Sequence, residues 1–174
     1  MSNDLLRDAV RMTIVRDLQA LEREIEAYPD DASLWLTPPG IGNSAGNLAL
    51  HLAGNLRHFI GTTLAGGSYV RDRDAEFATK GLSRAQVIEE VRAAVSELQH
   101  AFDNIDDEAI GSVFPLPVGP QAKRVRTSDW LVHLAVHFTY HLGQIDYHRR
   151  LLTSGGTTVD TLSIRGMPEV DVLK

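Results

Sequence analysis

Residues 127–152 read TSDWLVHLAVHFTYHLGQIDYHRRLL, a stretch that Thr127 or Ser128 can cap and that is predicted to run as one helix to about Leu152. Four of the chain's seven histidines, His133, His137, His141 and His148, fall within sixteen residues of it. Steps of four place the first three along one face, with a drift of roughly 40° per step. Neighbouring members can therefore share a metal ion. All three cannot, because the outer pair lies about 12 Å apart along the axis, whereas imidazole–metal bonds are about 2.0–2.1 Å long. The helix offers one pair, His133 with His137 or His137 with His141.

A third ligand has to come from another helix. Residues 44–61, SAGNLALHLAGNLRHFIG, begin with the N-cap candidate Ser44 and carry Leu48, Leu52, Leu56, Phe59 and Ile60 before Gly66 and Gly67 stop the helix. His51 sits in the middle of that apolar segment, where an unpartnered imidazole is costly, and is the best third ligand. Asn47 and Asn55 flank it four residues away on each side and are candidates to orient a ligand, or else to bond neighbouring backbone. Gln144 follows His141 by three and is expected to face the core. His133 is expected to line the pocket. His58, His100 and His148 are read as surface or boundary residues, Asp146 as a solvated or interhelical charge, and Lys123, Arg124 and Arg126 as a solvated loop.

Two further helices complete the pattern. Val10, Ile14, Leu18, Leu21, Ile25 and Tyr28 step by three and four through residues 3–28, and Ser83 with Gln86 forms a capping-box signature ahead of Ile88, Val91, Val95, Leu98 and Phe102. Prolines 29, 38 and 39 break the first connection, whose Leu34, Trp35 and Leu36 are apolar enough to pack as a lid. Residues 111–126, with three prolines and two glycines, read as an irregular crossover with a short strand over 112–116. The expected fold is all-α: a four-helix bundle over about 3–152 with long crossover loops, in a single domain spanning 1–174. The tail, 153–174, carries strand propensity without a partner.

Composition bounds the chemistry. The 174 residues include no cysteine, which excludes a disulfide framework, a thiolate zinc site and a Cys nucleophile. Seventeen basic against 23 acidic residues give a formal charge of -6, with the basic ones scattered, so nucleic-acid binding is not expected. No apolar run approaches the roughly 18 residues that a membrane span needs, and the expected location is the cytoplasm. P-loop, GxGxxG, HExxH and G-x-S-x-G patterns are absent.

The segments 44–61 and 133–145 together resemble the DinB-like, or YfiT-like, superfamily of metal-dependent enzymes, in which one His lies mid-way along the second helix and an H-x-x-x-H pair lies in a phrase similar to HxxYHxGQ. The positions here are His51, His137 and His141. The resemblance favours the pair His137 with His141. It implies an up-down-down-up bundle, a homodimer, and nickel or zinc in an open site. The chemistry that it implies spans thiol S-transfer with a low-molecular-weight thiol and isomerisation, on a small-molecule substrate, and a three-imidazole metal site can equally activate a water for hydrolysis. The rival expectation is a non-catalytic, stress-related protein that binds a metal or small ligand. A third is an assembly module with buried, hydrogen-bonded histidines.

Overall fold

The computed structural model describes residues 3–156, 158–164 and 167. Among these residues the chain forms six α-helices and no strand: α1 (Asn3–Glu26), α2 (Ala45–Leu56), α3 (Arg73–Ala78), α4 (Arg84–Asn104), α5 (Asp107–Gly111) and α6 (Thr127–Leu152). The all-α expectation is met. Helices α1 and α2 each pack on both α4 and α6. The predicted stripes supply much of the interior: Ile14, Leu18, Leu21 and Ile25 of α1, Leu52 and Leu56 of α2, and Val91, Leu98 and Phe102 of α4 are all buried, and α6 adds Leu131, Leu134, Phe138, Leu142 and Ile145. Each contributes about 1.5–3 kcal/mol by leaving water.

Local chemistry sets the helix ends. Ser44 Oγ accepts from the Asn47 amide at 3.2 Å and starts α2, and Ser83 with Gln86 closes a complete capping box on α4. Helix α6 departs from the expectation. Its N-cap is Arg126, without a side-chain cap bond, and Thr127 is buried with no partner for its hydroxyl among the described residues. The first turn is held by the Arg126–Asp129 ion pair, 2.8 Å, and by the Thr127 amide donating to the Ser112 carbonyl.

Three stretches between the long helices depart from the sequence reading. The second helix, read as running up to Gly66 and Gly67, is α-helical only as far as Leu56 and goes on as a π-helix, Arg57–Leu64, anchored by Arg57 on Glu97 and Glu90 of α4. Helix α3 then forms under an Asp72 cap, inside a crossover where no helix was expected. The expected strand over 112–116 is reduced to isolated bridges, Val113 with Arg126 and Val118 with Lys123. The lid packs through two of its three apolar residues: Leu34 is buried and the Trp35 indole N–H donates to the Leu82 carbonyl at 2.8 Å, whereas Leu36 is exposed.

Of the tail, residues 158–164 lie against α1. Arg23 donates to the Val159 carbonyl, and Thr161 to Glu24 at 2.8 Å. Glu24 in turn pairs with Arg149 of α6, both fully desolvated. The rest of the tail, residues 157, 165–166 and 168–174, lies outside the described residues. No helix among the described residues is long and apolar enough to cross a membrane.

Candidate metal centre

Helix α2 brings His51 to face α6 at the level of His137 and His141. One nitrogen from each of the three rings lies within 4.8 Å of the others, the only such cluster of histidine or acidic ligand atoms among the described residues. His51 Nε2 and His137 Nε2 stand 3.4 Å apart, close to the separation of about 3.3 Å that two nitrogens bonded to one tetrahedral ion adopt. The three residues can hold a metal ion. His133 does not join them. Its ring stacks on Trp130 at 4.8 Å between centroids, and its other face looks along the helix toward His137 at 6.1 Å.

Hydrogen bonds on the far side of two rings fix which nitrogen is free. His51 Nδ1–H donates to Glu76 Oε2 at 2.9 Å, and His141 Nδ1–H donates to Gln144 Oε1 at 2.7 Å. Both rings are thereby left with an Nε2 lone pair for a ligand, the arrangement in which an outer acceptor orients a metal-binding imidazole. Burial, then the neighbouring His141 and His51, push the His137 pKa down to about 4, so it is neutral at pH 7. Burial also lowers His141, against the Gln144 bond.

Glu76 is the functional candidate that the sequence reading missed. It is 5% exposed. Burial by itself would raise its carboxyl, but hydrogen bonds from Arg71 and His51 outweigh burial and hold it below the usual carboxylate range. Arg71 clamps both oxygens, at 2.7 and 2.8 Å. The anchoring of α3 explains the role of Asn47: its amide donates to the carbonyls of Glu76 at 3.0 Å and Thr79 at 2.8 Å. Asn47 therefore positions the segment that carries Glu76 and does not face a ligand. The sequence signal was the Asp72 cap in front of a short acidic turn.

Residues 1–166 match a family model described as a protein of unknown function, DUF1572. The chain belongs to that family. A comparison with curated proteins returns no match. The DUF1572 match runs past α6 into the tail, beyond the segment that carries the resemblance.

The other residues of the DUF1572 chain singled out from sequence fall as follows. Asn55 is buried and its amide oxygen has no partner among the described residues. Gln144 is exposed rather than in the core, and its only role here is to accept from His141. His148 is no surface residue: its Nε2–H donates to the Leu36 carbonyl at 2.9 Å and its Nδ1 accepts from the Tyr28 hydroxyl at 2.7 Å. His100 is exposed and His58 half-buried. Asp146 pairs with Arg149 and Arg150 on its own helix. The three imidazoles open onto a cavity of about 760 Å³, lined also by Leu48, Phe77, Arg73 and Asp74. Phe77 packs on the His51 ring at 4.9 Å and carries the Arg73 guanidinium 5.1 Å from its own ring centre.

Proposed function

We propose that this protein is a DinB-like metal-dependent enzyme that acts on a small molecule by thiol transfer or hydrolysis, with His51, His137 and His141 as ligands of a nickel or zinc ion. The observation that carries this reading is the convergence of three imidazoles, two of them oriented by outer acceptors, on one open cavity. The carboxylate nearest to them is already committed. Both oxygens of Glu76 are taken by Arg71 and His51, so the protein offers three ligands and leaves positions for a substrate. A storage site would be expected to fill them.

When bound there, a divalent ion would keep its full charge among neutral ligands and supply Lewis acidity toward a thiol or a water. The side chains do the rest. Glu76 and Arg71 lock His51, Gln144 locks His141, and Leu48 with Phe77 keeps one wall apolar. Arg73 makes no ion pair among the described residues and is suited to meet a substrate anion at the mouth. Without a cysteine in the chain, any thiol is an external one.

The helix contacts support the up-down-down-up bundle. Asp17 accepts from Thr139 and Glu24 from Arg149, so α1 and α6 advance together. Arg11 meets Asp103, whereas Arg84 meets the Tyr28 carbonyl, so α4 runs against α1. Exposed Val132, Val136 and Tyr140 on α6 offer an apolar stripe to a second copy, in keeping with a homodimer.

Elemental analysis of untagged protein tests the reading, followed by a thiol-transfer and hydrolysis screen of the loaded protein. Near-stoichiometric nickel or zinc with turnover is the expected result. Absence of metal as purified and after titration overturns it.

A further inference from the structure

A second cavity adjoins the first. It has a volume of about 280 Å³ and is walled by Ile41, Leu48, Gln144, Tyr147, His148 and Leu151. Asn43 and Leu48 line both cavities. Gln144, which accepts the His141 proton, stands in its wall, so this space begins one hydrogen bond away from the candidate ligands.

Its chemistry is different from that of the first. Among the described residues no charged side chain lines it, whereas Arg73 and Asp74 line the histidine cavity. His148 has both nitrogens engaged, by Leu36 and Tyr28, and offers only ring carbon. Ile41, Tyr147 and Leu151 are 37%, 78% and 61% exposed. Large apolar side chains left in water around a concavity that opens from a polar site are the signature of a ligand's apolar part.

We propose that the substrate is elongated, with its polar reacting end among His51, His137 and His141 and an apolar arm between Ile41, Leu48, Tyr147 and Leu151. The inference rests on the metal-dependent reading above and names the substrate class for that site. The apolar arm supplies affinity and sets the position of the polar end along the cavity. Each methylene placed in such a space strengthens binding about fourfold.

Alkyl hydroxamates, which chelate zinc or nickel through two oxygens, separate the two ideas. Zinc-loaded protein is titrated calorimetrically with the straight-chain series from acetohydroxamate to octanohydroxamate, in parallel with Leu151→Asp and Ile41→Asp, whose metal content is measured. The expected result is affinity that climbs about fourfold per methylene and then levels off when the cavity is full, with a flattened series in both metal-replete variants. Equal affinity along the series in the wild type, with acetohydroxamate bound, overturns the arm and leaves the metal reading intact. A flat series accompanied by a wild-type dimer that Leu151→Asp dissociates assigns the apolar wall to a second copy, and also overturns it. Protein that retains no zinc and binds no hydroxamate overturns both.

Discussion

His51 donates its Nδ1 proton to Glu76 across 2.9 Å, so the ring on α2 is aimed by a carboxylate from the crossover helix α3 and not by any residue of the four long helices. The charge of Glu76 is itself set by Arg71. Replacing Glu76 by Gln keeps the shape but removes the charge and halves the Arg71 clamp. Metal affinity is expected to fall about 10- to 100-fold, measured by competition with a chromophoric chelator. Unchanged affinity would mean that Glu76 serves only to pack α3.

Among the histidines, substitution by alanine should sort by position. His51→Ala, His137→Ala and His141→Ala are each expected to lose bound nickel or zinc, while His133→Ala, whose ring leans on Trp130, retains it. Metal-to-protein ratios of the four variants check this directly.

Two helical glycines should respond with opposite sign. A Cβ at Gly54 would fall inside contact distance of Glu76 Oε1 and lie 3.0 Å from the Tyr69 hydroxyl. Gly54→Ala should therefore displace Glu76 and weaken metal binding with little change in helix content. A Cβ at Gly143 meets nothing within 4 Å. Gly143→Ala should stabilise α6 by about 0.5–1 kcal/mol, through lower backbone entropy of the unfolded chain. Urea denaturation and metal titration of both variants separate the two effects.

Acid should destabilise the metal-free protein. Folded His137 titrates at about 4, below its usual 6.5, so between these values the unfolded chain binds a proton that the folded one refuses. Stability then falls as pH drops through that window. Glu76, held low in the folded state, acts in the same direction once the pH falls below the ordinary carboxylate range. Melting temperatures between pH 7 and pH 4 check the slope, and His137→Gln should flatten its upper part.

Much of this was readable from residue spacing. The long helices announced themselves through apolar stripes and through Ser44 and Ser83, because caps and periodicity are local properties of the chain. His51 and His137 stood out for the same reason, one as an imidazole in an apolar segment and the other as the member common to both possible pairs; spacing left His133 and His141 as alternatives, and only the resemblance favoured His141. Glu76 did not stand out, since its meaning depends on a contact 25 residues distant and on a six-residue helix too short to show a period. Thr127 misled for a related reason. It has the composition of a cap, but the chain entering α6 is held instead by the Ser112 carbonyl and the Arg126–Asp129 pair, neither of which is visible in a pattern. Gln144 was placed in the core by its register, whereas the Nδ1–H of His141 holds it at the surface.

The position of Glu76 in a connection rather than in a long helix ties two equilibria together. Docking of α3 rests on the two carbonyls that Asn47 holds and on the Arg71 clamp, and it delivers the acceptor that aims His51. By reciprocity, whatever factor the docked segment adds to ligand affinity, the bound ligand returns to the docking of the segment. Backbone amides of residues 72–79 are therefore a remote gauge of site occupancy, and their hydrogen-exchange protection rises by the same factor by which an intact α3 raises affinity.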